Sequence, residues 1–242
     1  VNANDEVRDA VAAGLARFGL DPGLGPQMLC LAEQSVSAEI SSGTAVSSTR
    51  EAVNVHIFDS LAAIETGWLV QATKLIDIGS GLGFPGLALA AAHPGLEVVL
   101  LDAARKKSDA SALIARRCGV TNAFAVWGRA EEIGAAESDH RGRYDVVSAR
   151  ALAPLGVIAE YAAPLLRLGG VVVAWKGRLD EAELAAADAA CEELGFEPGE
   201  PHTYEPYANS GRRTLWIARK AAPTPQRFPR RPGQAARSPL AG

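Results

Sequence analysis

Apolar positions recur at helical intervals through the first part of the chain and then give way to short unbroken runs. In "DEVRDAVAAGLARFGL", Val7, Val11, Leu15 and Phe18 are spaced to share one helix face. Pro22 and Pro26 interrupt that pattern. "PQMLCLAEQSVSAEI" and "REAVNVHIFDSLAAIE" predict two further helices, separated by a Ser/Thr/Gly-rich stretch from Ser41 to Thr49. In the second of them Val53, Ile57, Leu61 and Ile64 make the apolar stripe. From residue 73 the runs are "KLIDIG", "LEVVLLD", "AFAVWG", "YDVVSAR" and "GVVVAWKG". They are short, apolar throughout and rich in Val, Ile and Leu, as strands are when helices cover both faces of a parallel sheet.

Helical segments lie between these runs: "PGLALAAAHP", "ARKKSDASALIARRCG", "RAEEIGAAE", "APLGVIAEYAAPLLRL" and "DEAELAAADAACEELG". "FEPGEPHTYEP" and "RRTLWIARK" then read as a closing antiparallel pair. The alternation predicts an α/β fold, doubly wound, with a mostly parallel Rossmann-like sheet. It divides the chain into a helical N-terminal extension (1–69), the α/β domain (70–220) and a tail (221–242).

The chemistry begins at "LIDIGSGLGFPG", where four glycines fall within eight residues after the first strand. This turn meets ligands at the carboxyl edge of such sheets. Gly81, Gly83 and Gly86 fit the dinucleotide pattern G-x-G-x-x-G, while Gly79, Gly81 and Gly83 fit the G-x-G-x-G loop of S-adenosylmethionine enzymes. Asp77 favours the second reading. A carboxylate just before the loop repels a pyrophosphate and suits a ligand carrying an ammonium and a sulfonium, with about 1–4 kcal/mol at stake at ~4 Å. Asp102 ends the second strand, where a carboxylate can accept both ribose hydroxyls or cap the following helix. Ala130 and Glu131, after the third strand, are placed to meet adenine with a backbone N–H and a side-chain acceptor.

"SARALAPL" follows the fourth strand and faces the transferred methyl in such folds. It contains neither an N/D-P-P-Y/F strip nor a nucleophilic cysteine. It does contain Arg150, a fixed fork of donors for carbonyl, carboxylate or phosphate oxygens. A ring-nitrogen acceptor with a free lone pair needs positioning and no base. Lys176 ends the fifth strand at the same edge.

Composition and charge refine this picture in three places. The 242 residues are 48% apolar, enough for a sizeable core, and no apolar run is long enough to span a bilayer. With no signal peptide recognised, the expected location is cytoplasmic. Cys30, Cys118 and Cys191 show no metal-ligand spacing and read as buried free thiols; no metal is expected. The net charge of −4 conceals a basic tail: six cations and no acid from Arg219 to Gly242 leave −10 on the other 218 residues. Such asymmetry points to a polyanionic partner. Five prolines between Pro223 and Pro239 disfavour a helix there and predict an extended arm.

Across nearly its whole length the sequence resembles the bacterial small-subunit ribosomal RNA guanine-N7 methyltransferases, the GidB/RsmG family. The resemblance is carried by "HIFDSL", "DIGSGLGFPGLALA", "LLDAARKK", "GRAEE", "SARALAPL", "AWKG" and "TPQRFPRRPGQAARSPL". It implies S-adenosylmethionine as cofactor, 16S ribosomal RNA or the small ribosomal subunit as partner, and methyl transfer to a guanine N7. Cofactor contacts are implied for Gly79, Phe84, Ala130 with Glu131, and Arg150; the candidate RNA contacts are Lys176 at the edge of the fifth strand and Arg227, Arg230 and Arg231 of the basic tail. The chain departs from the family pattern at Val55, where an arginine usually precedes the histidine, and upstream, where no "N-L-T" segment is recognisable. An NAD(P)-binding oxidoreductase and a non-catalytic RNA-binding or ribosome assembly factor are the alternative readings.

Overall fold

The computed structural model describes residues 3–37, 39–40 and 46–240. Residues 41–45, most of the Ser/Thr/Gly-rich stretch expected to be a loop, lie outside the described residues. The N-terminal part is helical as the periodicity requires: α1 (Ala3–Arg17), α2 (Gly25–Ser35), α3 (Thr49–Ala52) and α4 (Asp59–Leu61). Between α3 and α4 the chain widens into a π-helical stretch, Val53–Phe58, closed by an Asp59 N–H bond to the Asn54 carbonyl. Such wide turns occur often at functional sites. This one carries Val55 and His56 into the molecule.

Seven strands follow: β1 (Lys74–Ile78), β2 (Glu97–Asp102), β3 (Ala123–Trp127), β4 (Tyr144–Arg150), β5 (Leu166–Lys176), β6 (Glu200–Tyr204) and β7 (Arg213–Arg219). They form one sheet in the order β3-β2-β1-β4-β5-β7-β6. All neighbours are parallel except β7, which is antiparallel to both β5 and β6. The strand order reverses between β1 and β4, so their carboxyl ends open the crevice where such sheets bind ligands. The connecting helices are α5 (Gly86–Ala92), α6 (Arg105–Arg117), α7 (Ala130–Ile133), α8 (Leu155–Ala162) and α9 (Glu181–Leu194), with a short α10 (Gln234–Arg237) near the C-terminus.

Alternation along each strand builds two cores. Leu75, Val98, Leu100, Val146 and Val173 point to one face, where they pack with α5, α6 and the N-terminal helices. Ile76, Ile78, Val99, Val147 and Val172 point to the other, under α8, α9 and Phe228. The N-terminal extension is thus part of the wall of the first core. Its fit is close: a Cβ built on Gly14 would lie 2.1 Å from the Phe58 ring.

Two expectations are corrected. Cys30 and Cys118 are not free thiols but form a disulfide, with Cα atoms 5.5 Å apart. They are 88 residues apart in sequence and meet because α2 packs against α6; only Cys191 is free, and burial raises its thiol to about 12. The tail is not an extended arm either. Phe228 is 1% exposed and its carbonyl accepts from Arg141, Thr224 donates to the Ala163 carbonyl, and α10 forms despite the flanking prolines. Burial of one aromatic ring and these polar ties outweigh the local bias of proline.

Candidate active site

The glycine loop runs from the end of β1 to the start of α5, and two carboxylates hold it from below. Asp77 is fully buried on the face shared with Leu75. Its Oδ2 accepts from the Gly86 N–H at 3.0 Å and its Oδ1 from the Ser148 hydroxyl at 2.8 Å. Burial pushes this carboxyl up to about 6, against the pull of those two bonds and of Arg150. The group ties β1, β4 and the first turn of α5 together, and any effect of its charge on a ligand acts through the loop. Asp102 is likewise buried, and both its oxygens hold backbone: Oδ2 accepts from Gly81 N–H at 2.9 Å and Oδ1 from Ala104 N–H at 2.8 Å. Each oxygen keeps a second lone pair for a hydroxyl. The side chain braces the loop against β2 rather than capping α6.

Different pressures require the loop's glycines. Gly81 sits at φ +58°, and a Cβ there would meet nothing within 4 Å, so its surface faces open space. At Gly86 the need is closeness: a Cβ would lie 2.4 Å from Leu100 and 3.1 Å from Asp77. Gly79 and Gly83 also have positive φ, with Leu152 and Leu87 against them. Phe84 is buried and stacks on His56, ring centroids 4.8 Å apart and planes 14° apart.

One cavity meets this loop at Gly79, and a second is linked to it through His56, which stacks on Phe84. The smaller, about 130 Å³, is lined by Gly79, Ala103, Gly128, Ala130, Glu131 and Tyr161, among others. The structure thus brings Gly79, Ala130 and Glu131 together. The volume lies below the ~300 Å³ of a complete small-molecule site, so it admits only part of such a ligand. Glu131 does not stand free: its Oε1 accepts from the Gly233 N–H of the tail at 2.7 Å.

The larger cavity, about 510 Å³, is lined by His56, Asp59, Arg150, Lys176, Tyr204 and Arg213, among others. Asp59 is its pivot. This 2%-exposed carboxylate sits 3.3 Å from Arg150 and 3.1 Å from Arg213, and accepts from the Tyr204 hydroxyl at 2.8 Å. Burial and the Asp59 charge hold the Tyr204 phenol far above its ordinary value, so it remains a donor. Arg150 also donates to the Val55 carbonyl at 2.8 Å and lies 3.2 Å from His56 Nδ1. Immediately after it the chain turns through Ala151 at φ +51°, a left-handed conformation costing an alanine about 1–2 kcal/mol. Lys176 borders the cavity but is paired with Glu183 at 2.7 Å.

The tail cations expected to meet RNA are distributed otherwise. Arg230 makes a bidentate pair with Glu160, itself 2% exposed, so its guanidinium is not free for phosphate. Arg227 pairs with Glu193 at 2.9 Å, while Arg231 is exposed. Sequence reasoning picked out neither Asp59 and Tyr204 nor Arg213 as site residues. "HIFDSL" was the visible signal for Asp59; nothing in "RRT" marks Arg213. Among the described residues no group of three or more His, Cys, Asp or Glu is placed to hold a metal. No helix of those residues is long and apolar enough to cross a membrane.

Known proteins share both the fold and the sequence. Cofactor-bound Rv0187 from MTB superposes with a TM-score of 0.51 at 21% identity, covering 83% of this chain and 90% of that one. The precorrin-6y C5,15-methyltransferase of Geobacter metallireducens gives 0.51 at 15% identity, covering 76% and 97%. At these identities the likeness concerns the fold. In sequence the chain is 39% identical over 202 residues to the Ribosomal RNA small subunit methyltransferase G of Symbiobacterium thermophilum, covering 81% of this chain and 82% of that one. The protein of that name from Deinococcus deserti is 36% identical over 242 residues, covering 98% of each chain. Residues 38–206 match the GidB family, described as rRNA small subunit methyltransferase G. The chain belongs to that family of methyltransferases.

Proposed function

We propose that this protein transfers a methyl group from S-adenosylmethionine to N7 of a guanine in 16S ribosomal RNA. The observation that supports it best is a narrow cavity against Gly79 of the glycine loop beside a second cavity, built around two guanidiniums, that is linked to the same loop by the stack of His56 on Phe84. The first suits the cofactor. Gly81 leaves open space where a side chain would otherwise stand, and Asp77, Asp102 and Glu131 surround the loop with acids. Those acids favour a sulfonium and an ammonium over a pyrophosphate, which argues against the NAD(P) reading. In this assignment Gly79, Gly81 and Gly83 cradle the cofactor's amino-acid end and Phe84 closes the loop. Asp102 receives the ribose hydroxyls with its remaining lone pairs, and Ala130 and Glu131 meet adenine.

When bound, the cofactor supplies a methyl group on a sulfonium leaving group. The chain's task is to place a nucleophile in line with it and keep competing water away. Guanine N7 carries a lone pair and no proton, so no side chain has to remove one. Arg150 and Arg213 put positive charge beside the phosphates of the substrate, and Asp59 offsets part of it. That offset matters because the base becomes a cation as N7 is methylated. The exposed Arg231 remains as a candidate phosphate contact, and 16S ribosomal RNA or the small ribosomal subunit is the partner. A ribosomal RNA substrate fits a cytoplasmic location.

The test supplies labelled S-adenosylmethionine and small subunits lacking the mark to wild type and to Gly81→Val. Label released as 7-methylguanosine by wild type alone supports the reading. Label in another nucleoside, or none, refutes it.

A further inference from the structure

One polar atom at the larger cavity has no partner among the described residues. His56 projects from the π-helical turn with Nδ1 3.2 Å from the Arg150 guanidinium. A guanidinium only donates, so Nδ1 must accept, and the ring proton of the neutral imidazole resides on Nε2. The ring is neutral at working pH: burial first, then the Arg150 charge, lowers it to about 4. Its plane is fixed by the stack on Phe84, a residue of the glycine loop. His56 lines the cavity, yet Nε2 is buried without a hydrogen-bond partner. A buried donor left unpaired is costly, and most such groups in folded proteins are satisfied by protein, water or ligand.

We propose that His56 Nε2–H is the donor that reads O6 of the target guanine, and that it selects a 6-oxopurine over a 6-aminopurine. This inference rests on the function proposed above. Guanine presents N7 and O6, both acceptors, on this edge; adenine presents N7 and the N6 amino donor. In the reaction the N7 lone pair forms the N–CH3 bond, the CH3–S bond breaks with its electrons going to sulfur, and no proton moves. N7 therefore has to stay free of donors, and recognition of the edge falls to O6. An N–H there pairs with guanine and confronts the amino group of adenine with a second donor. A neutral imidazole also suits the chemistry better than a third cation, because the methylated ring becomes positive. Arg150 holds the tautomer and Phe84 holds the plane, so the donor is fixed before the base arrives.

The experiment compares two substitutions and two bases. His56→Asn keeps an acceptor toward Arg150 and removes the distal donor; His56→Gln keeps a distal N–H. Single-turnover methylation is measured on small-subunit RNA carrying either guanine or 2-aminopurine at the target. 2-Aminopurine retains N7 and lacks O6, and single-turnover conditions give rates for slow substrates too. His56→Asn should lose about tenfold on guanine and nothing beyond twofold on 2-aminopurine, while His56→Gln stays within about threefold of wild type on guanine. Cofactor affinity, measured by calorimetry, should be the same in the two variants, since both lose the stack on Phe84. Equal losses on the two bases, equal activity of the Asn and Gln variants, or no loss at all would overturn the inference. A wild type that leaves guanine unmethylated would instead remove the functional reading, and the inference with it.

Discussion

Replacing Asp77 by asparagine should make the protein more stable at neutral pH and a poorer binder of its cofactor. The carboxyl is fully buried, and burial raises it from 3.8 to about 6. That gap corresponds to about 3 kcal/mol between the two protonation states. Below pH 3.8 the group is protonated whether the chain is folded or not, and contributes no difference. Between 3.8 and about 6 the folded chain keeps a proton that the unfolded chain releases, so stability falls as pH rises. Above pH 6 the full penalty of a buried charge remains. Asparagine has the same shape; its oxygen can accept from the Gly86 N–H and its amide can donate to Ser148. Asp77→Asn should thus match wild type near pH 4 and exceed it by up to ~3 kcal/mol at pH 7.5, read from urea unfolding at both values. Because other titrating groups are common to both proteins, the pH dependence of the difference isolates residue 77. The same charge attracts a cationic ligand across the loop. Wild-type affinity for S-adenosylmethionine should therefore rise with pH through about 6, and the variant's should be weaker and flatter. A stability difference that is the same at both pH values would refute the argument.

Other positions give equally direct tests. Arg230→Met leaves Glu160 buried and unpaired and should cost about 3–5 kcal/mol, most of it recovered by adding Glu160→Gln; a double-mutant cycle in denaturant checks it, and an unaffected single variant would mean the tail is not docked. Gly86→Ala drives a methyl against Leu100 and Asp77 and should destabilise by about 1–3 kcal/mol. Gly81→Val meets open space, so beyond about 1–2 kcal/mol for its positive φ its main effect should be loss of cofactor binding in calorimetry. Arg150→Ala should lower kcat by roughly a hundredfold. With saturating cofactor, the wild-type methyl-transfer rate should stay flat from about pH 6.5 to 8.5, because no base removes a proton; a sigmoid profile tracing one side chain would contradict this.

What could be read from the sequence was local. Unbroken apolar runs and helical patterns placed the strands and most helices, and "DIGSGLGFPG" marked the crevice because glycines after a strand have few other uses. Even the burial of Asp77 was present in the pattern: it alternates with Ile76 and Ile78 and so shares the face of Leu75. Contacts between distant segments were not legible. Composition registers six tail cations without an acid, but Arg230 finds Glu160 at a separation of 70 residues and Arg227 finds Glu193 at 34. Cys30 and Cys118 belong to helices that approach only once the first core forms. Arg213 joins Asp59 because β7 inserts antiparallel beside β5, a register that no single segment encodes.

As proposed, this chain marks N7 of a guanine in small-subunit ribosomal RNA. Purified protein, S-adenosylmethionine and small subunits lacking the mark should be incubated together, and the RNA cleaved chemically at 7-methylguanosine. Cleavage is expected at a single position that depends on the cofactor, and with Arg150→Ala it should appear about a hundredfold more slowly. Cleavage at no position, or label arriving on the RNA without any cleavage, would contradict it.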